Sequence, residues 1–357
     1  MNRIILIGNG FDLAHGMETS YRHFIDDFWE KQKIKVISNN KSTRKYSYRY
    51  INDYYTIDSY KEFNELPDDY KGYKWFDSHF NNGECGLINE ALVENKITHH
   101  NSFLENITKK EQLNNWVDIE EEYYMALKQC LQDSSGNAIK QLNKNFLIIK
   151  TALENYLKKQ ITYKCSFLPY IDELINSRFS ADFILKPTKR YVVDNTLFLN
   201  FNFTNTIGQY IRPLTSNKVI NIHGELNNPE NPIIFGYGDD MDEEYKLIKK
   251  QNDKAYFDYS KLIHYPETMN YQKMLIFINS DEYMIDIMGL SCGNSDRTLL
   301  KALFEHKNCL SIRIFYHQHK DGTDDFSDKI RNISRIITET SLFEEILANK
   351  KFCVPLS

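Results

Sequence analysis

The chain has no cysteine pair at C-x-x-C spacing, no apolar run near the length of a membrane span, and no large excess of either charge. Each absence removes a class of protein. The six cysteines (Cys85, Cys130, Cys165, Cys292, Cys309 and Cys353) are scattered, and since Met1 leads directly into an apolar strand no signal peptide is expected. Reduced thiols in a cytoplasmic protein are the expectation. A spanning helix needs about 20 apolar residues in succession, so no membrane partner is expected. A formal net charge of −5 and a pI near 6.1 argue against a nucleic acid held mainly by charge. At 41% hydrophobic content the chain is not disordered as a whole, and 24 tyrosines with 22 phenylalanines supply rings for a core.

What is present begins at the N-terminus. The run Arg3–Ile7 reads as a buried strand delivered into Gly8-Asn9-Gly10-Phe11-Asp12, with a further glycine at Gly16. Glycine permits tight turns and lets another group approach the backbone where a Cβ would intrude. After the first strand of an α/β sheet, such a turn is the usual floor of a nucleotide site. Gly16 lies too far on to complete G-x-G-x-x-G. Both a nucleotide turn and an ordinary βα turn therefore stand.

Further along, the texture changes twice. Residues 31–189 read as a large, mainly helical insertion. The set Trp116, Ile119, Tyr123, Leu127, Cys130 and the set Leu142, Phe146, Ile149, Leu153, Tyr156 each recur at helical spacing. Gly136 lies between them, which predicts a helical hairpin. Residues 39–73 show little periodicity and read as loop or lid. From 190 onward short β-type runs appear at Thr196–Phe201, Val219–His223, Pro232–Phe235, Met284–Met288 and Leu310–Tyr316. A helix over Asp296–His306, capped by Ser295, is expected between the last two. The first strand has no strand neighbour nearby in sequence and is expected to insert into this later sheet. The expectation is a single α/β domain over 1–357, with a Rossmann-like parallel core (1–30 plus 190–345) flanked by helices.

In such a sheet the carboxyl ends of the strands face the ligand, which singles out three places beyond the opening turn, and a helix adds Glu120. Asn202 and Thr204 follow the run ending near Asn200, and offer neutral donors and acceptors for ribose hydroxyls, an amide or a water; the plainer reading is a helix cap. His223, followed by Gly224, titrates near neutrality and suits a general base; the plainer reading is a neutral core histidine. Gly289-Leu290-Ser291-Cys292-Gly293 precedes Asp296, and its letters also fit the G-x-S-x-G of serine hydrolases. Glu120 shares a helix face with Tyr123 and Leu127, where a carboxylate needs either a partner or solvent. The acidic run Asp239–Glu244 reads as solvated surface, and His317 with His319 lack a third metal ligand.

Taken together, Gly8–Gly16 with Thr19–Tyr21, Trp116–Glu120, Asn200–Thr206, Ile222–Leu226, Phe235–Asp239 and Gly289–Asp296 resemble the AbiH family of phage abortive-infection proteins, in the family's order. The order of motifs is also similar, more distantly, to sirtuin-like NAD-consuming domains of antiphage systems. There, Asp12 replaces a serine in the glycine turn and Thr204 replaces an aspartate after Asn202. This resemblance implies a sirtuin-like NAD glycohydrolase with Asn202 and His223 as catalytic residues. It implies nucleotide contacts from Gly8, Asn9, Gly10, Phe11, Asp12, Thr204, Gly224, Gly289, Ser291 and Asp296. NAD or an ADP-ribose-like nucleotide would be the ligand as substrate, with no metal or other cofactor required. A phage-derived trigger or partner protein and a homo-oligomer fit the same picture. Two other readings stay open, a non-catalytic nucleotide sensor and a metal-dependent nuclease.

Overall fold

The structure is a computed structural model that describes residues 1–43, 48–59, 71–80, 85–88, 91–114, 117–133, 135–162, 165–176, 184, 186, 188, 192–212 and 217–357. Its strands, in chain order, are β1 (Asn2–Ile7), β2 (Tyr48–Ile51), β3 (Tyr55–Ser59), β4 (Cys85–Ile88), β5 (Ala91–Glu94), β6 (Lys96–His99), β7 (Asn195–Asn200), β8 (Lys218–Asn221), β9 (Tyr283–Met288) and β10 (Cys309–Phe315). The chain divides into two compact units. The first comprises 1–19, 124–139 and 157–357, and the second 20–123 and 140–156.

The first unit is built on a five-stranded sheet in the order β10-β9-β1-β7-β8, with every pairing parallel. Counted by first appearance within this sheet, the order is 3-2-1-4-5 from the β8 edge, the arrangement of a Rossmann-type fold. β1 lies at its centre between β7 and β9, as its isolation in the sequence requires. Alternation then decides which face each residue covers. Ile4, Leu6, Leu199, Ile287 and Ile314 bury one face under the helices Asn270–Ser280, Arg297–Phe304 and Phe326–Ile336. Ile5, Ile7, Phe198 and Met288 bury the other with Phe11, Ile171, Ile175 and Tyr210. Helices thus cover both faces, which explains why the central strands are apolar almost throughout.

One charged group breaks that apolar run. Asp286 in β9 is fully buried and accepts from Arg3 Nε of β1 at 2.7 Å and from Arg313 Nε of β10 at 2.7 Å. Arg3 also donates to the Ile175 carbonyl near the end of the helix Pro169–Asn176. Burial pushes the Asp286 carboxyl up, but the two guanidinium groups outweigh it and hold the carboxyl below the usual range.

The second unit carries the three-stranded antiparallel sheet β2-β3-β6, the hairpin β4-β5 and the long helix Tyr21–Thr43. Ser20 Oγ accepts from the His23 amide at the start of that helix, as its position predicts. Trp29 is wholly buried there, with its indole N–H on Thr108 Oγ1 at 3.0 Å. Residues 31–189 carry the helices Tyr73–Phe80, Ser102–Asn114, Ile119–Cys130, Asn137–Gln160 and Pro169–Asn176, but also the short strands β2–β6, which were not anticipated. The expected loop over 39–73 contains β2 and β3, and its residues 44–47 and 60–70 lie outside the described residues. Tyrosines at Tyr48, Tyr50 and Tyr55 pack as rings within β2 and β3, so aromatic pairing fixes strands where aliphatic alternation is weak.

Two smaller expectations are corrected. Pro232–Phe235 forms no strand; its Ile234 amide bonds to the His223 carbonyl in a loop. The late helix spans Arg297–Phe304 after a 3-10 turn at Asn294–Asp296, and Ser295 does not cap it. Leu299, Leu300 and Phe304 do face inward. No described helix is long and apolar enough to cross a membrane.

Candidate active site at the strand ends

The glycine turn after β1 does approach something closely, and that partner is backbone. Gly8 N–H donates to the Met288 carbonyl at 3.0 Å, and Gly10 N–H to the Gly289 carbonyl at 2.8 Å. A methyl group at Gly8 would lie 2.8 Å from Gly289 O and would strike Leu290 Cα. Gly289 in turn adopts φ +75°, a conformation that side chains rarely tolerate. The segments after β1 and β9, the switch point of the sheet, are therefore locked to each other. The Phe11 amide is also used, on the Gly8 carbonyl at 2.9 Å. Three amides of the turn are thus satisfied within the protein.

This lock sets the short helix Asn9–Ala14. Phe11 is buried edge-on to Tyr210. His15 Nδ1 lies 2.7 Å from the Phe11 carbonyl and Nε2 2.6 Å from Tyr210 OH. A carbonyl only accepts, so Nδ1 carries the proton and Nε2 accepts from the tyrosine. Burial holds His15 below the usual imidazole range, against the pull of that carbonyl. Asn9 Oδ1 accepts from Thr19 Oγ1 at 2.6 Å.

On the next turn of chain, Asp12 is only 1% exposed. Its Oδ2 accepts from Thr204 Oγ1 at 2.6 Å, while Oδ1 is buried and has no hydrogen-bond partner among the described residues. Burial pushes the carboxyl up to about 6, although the Thr204 hydroxyl and the nearby Thr206 and Asn202 side chains oppose the rise. Asn202 Nδ2 also donates to the Gly8 carbonyl at 3.0 Å, so one amide links the β7 end to the opening turn. Asn200 Nδ2 braces the loop by donating to the Thr204 carbonyl and to Asn221 Oδ1, each at 2.9 Å. The structure therefore brings Gly8, Asp12, Asn202 and Thr204 together. Asn205, at the start of the following 3-10 turn, makes no side-chain cap.

His223 belongs to a second cluster at the same end of the sheet. The ring is buried, edge-on to Phe201 and parallel to Tyr265. Its Nε2 lies 3.0 Å from Asp296 Oδ1 and 3.2 Å from Tyr265 OH. The same Asp296 oxygen accepts from Lys261 Nζ at 2.8 Å, and Lys261 is wholly buried. Burial, reinforced by the Lys261 ammonium, keeps His223 below the usual imidazole range despite the pull of Asp296 and the Phe201 carbonyl. Burial raises Asp296, but Lys261 and His223 outweigh it and hold it well below the carboxylate range. Asp296 follows β9 and His223 follows β8, with β1 and β7 between those strands, so this contact ties the two flanks together across the strand ends.

The remaining candidates are placed plainly. Gly224 N–H closes a turn onto the Asn221 carbonyl at 3.1 Å. Ser291 is exposed, and among the described residues no histidine hydrogen-bonds its hydroxyl. The positive φ in that segment, beyond Gly289, falls on Cys292 at 55°. Burial pushes the Cys292 thiol up to about 12, so neither residue has the surroundings of an activated nucleophile. Within the acidic run, Asp242 and Glu244 pair with Lys128 and Asp239 faces Arg297. Among the described residues no group of three His, Cys, Asp or Glu is placed to hold a metal ion. Glu120, in the second unit, is buried and accepts from Tyr21 OH at 3.3 Å; Trp116 lies outside the described residues.

Sequence reasoning missed Lys261, Tyr265 and Thr206. The signal for Thr206 was its place in N-F-N-F-T-N-T. Lys261 and Tyr265 lie in a short helix and turn that carry no motif.

A doubly covered parallel sheet of order 3-2-1-4-5, with buried titratable groups gathered at its strand ends, defines a Rossmann-type α/β protein with a polar site at the expected place. The model of the family described as bacteriophage abortive infection AbiH matches residues 4–318. The chain belongs to the AbiH family, and its role is accordingly in bacteriophage abortive infection. No curated protein matches it.

Proposed function

We propose that the first unit is a sirtuin-like NAD glycohydrolase, which cleaves the nicotinamide–ribose bond when the defence response is triggered. The observation that carries this reading is Asp12, with one carboxyl oxygen held by Thr204 and the other buried and without a partner among the described residues. Buried polar atoms without partners are rare in folded proteins, and each one asks for an explanation. A ligand donor is such an explanation. Ribose hydroxyls are donors of the right kind, whereas a phosphate beside a carboxylate would be repelled.

The chemistry needs little machinery. NAD and water give nicotinamide, ADP-ribose and a proton, and the barrier lies in an oxocarbenium-like ribose. A carboxylate beside that ribose favours the developing positive charge. A carboxyl titrating near 6 suits proton uptake from water. Asn202 orients the water and ribose, and His223 is the second titratable group for moving the proton. The other contacts assigned to the nucleotide come from Gly8–Phe11, Thr204, Gly224, Gly289, Ser291 and Asp296. The reaction calls for no metal or resident cofactor.

The test is nicotinamide release, followed by mass spectrometry, from the purified full chain and from phage-infected cells expressing it. Asp12→Ala, Asn202→Ala and His223→Ala are each expected to lower release at least about 100-fold, the ordinary scale for an acid–base residue. Full cleavage and full phage protection in the Asn202 and His223 variants would overturn the proposal. Tight NAD binding without any nicotinamide released, in infected cells as well, would make the protein a nucleotide sensor instead.

A further inference from the structure

We propose that Lys261 is a positioning residue for His223, acting through the Asp296 oxygen that both side chains share. The inference rests on the reading that His223 serves the reaction, but its observations are independent of the substrate. Lys261 Nζ and His223 Nε2 meet Asp296 Oδ1 at 2.8 and 3.0 Å, and all three residues are buried. They come from three separate segments: the end of β8, the helix Lys261–His264, and the 3-10 turn before Arg297. A fully buried lysine is among the least common of core residues unless it is paired. Packing alone would be served as well by methionine, so the ammonium needs another explanation.

The groups facing His223 make that explanation specific. Asp296 and Tyr265 OH lie at Nε2, the Phe201 carbonyl bonds the ring, and Lys261 stands across the shared oxygen. The Cys292 thiol also stands near Asp296, and burial keeps it neutral. With Lys261 in place, Asp296 is ionised and already balanced by one cation. A second cation on the imidazole would leave a net positive charge in the interior, so the ring stays neutral and keeps its capacity to accept a proton. Without Lys261 the same carboxylate would draw a proton onto His223 in the resting protein, and that capacity would be lost. Lysine therefore sets how His223 is oriented and which form it rests in, without touching a substrate.

The experiment is an NMR titration of the full chain carrying 13C-labelled histidine, with the His223 signal assigned by its loss in His223→Gln. In Lys261→Met the midpoint of His223 protonation is expected to rise at least about tenfold in proton affinity, as removal of a charge at this range implies. Lys261→Arg should keep it within about twofold of the native protein, since the charge remains. A folded Lys261→Met protein whose His223 titrates as in the native chain overturns the proposal. If Lys261→Met does not fold, Asp296→Asn decides. There His223 should bind its proton more weakly than in the native protein, and an unchanged midpoint overturns the proposal equally. Where NAD is cleaved, the acid limb of kcat should move with Lys261→Met while KM stays near its native value. Absence of cleavage by the native protein would sink the glycohydrolase reading alone, because the NMR result stands without it.

Discussion

Replacing Asp12 by asparagine should make the protein more stable at neutral pH, an unusual direction for a buried polar substitution. In the native chain burial raises this carboxyl to about 6. The folded form therefore holds the Asp12 proton more tightly than the unfolded form does. Between about pH 4 and pH 6 the native state binds more protons, so stability falls as pH rises through that window and stays at the lower level above it. A rise of about two pH units corresponds to about 3 kcal/mol. That figure is the cost of keeping Asp12 ionised at pH 8. Asparagine retains an acceptor for the Thr204 hydroxyl, carries no charge, and does not titrate. The assay is urea unfolding of both proteins at pH 4.5 and pH 8. The variant should gain up to about 3 kcal/mol at pH 8 and little at pH 4.5, and it should lose nucleotide cleavage. A variant less stable than the native protein at pH 8, or a difference that is the same at both pH values, would refute the reasoning. The first result would mean that the carboxylate is stabilising where it stands, the second that folding does not raise its pKa, and with either the case for Asp12 as a functional group would fall.

Two further substitutions probe the frame that holds the site, and a third probes a helix start in the second unit. Asp286→Ala should destabilise the first unit by about 3–5 kcal/mol in denaturant unfolding, because two guanidinium groups would remain in the sheet without their carboxylate. Gly8→Ala should cost more than about 2 kcal/mol and release the segment after β9, read as faster amide exchange at Gly10, whose N–H bonds to Gly289 O. Asp118→Ala should cost about 1 kcal/mol in thermal unfolding, since Asp118 Oδ1 caps the helix at Ile119 by accepting from the Glu120 and Glu121 amides at 3.0 and 3.1 Å.

How much of this could be read from the chain depends on how far apart the partners lie in sequence. The strands of the parallel sheet were legible because burial on both faces makes each a short apolar run, and β1 could only belong to a sheet formed much later. The turn at Gly8-Asn9-Gly10 was legible as a close approach, because two glycines after a strand have little other use. Its partner was not, since Gly289 and Leu290 are brought there only by the sheet order. The strands β2 and β3 escaped because Tyr48, Tyr50 and Tyr55 pair as rings, whereas the eye follows aliphatic alternation. Pro232–Phe235 has strand composition but lies beyond the β8 edge, where its backbone serves the His223 loop instead.

The same reasoning explains why the partners of the buried acids stayed hidden. Asp12 and Asp296 are marked in the sequence only by the motifs that carry them and Asp286 only by its place in an apolar run, and each is buried. What separates them is the company that folding brings. Asp286 has two arginines and is held ionised, which suits a group that fixes three strands in register. Asp296 has Lys261 and His223, one partner that is always charged and one that can change, which suits a group that transmits charge without changing it. Asp12 has only hydroxyls and an amide near it, is raised toward neutrality, and among the described residues has no hydrogen bond to Oδ1. A fold that supplies two cations to one buried aspartate and, among the described residues, none to another at the end of the neighbouring strand drives the two carboxyls to opposite sides of the usual range.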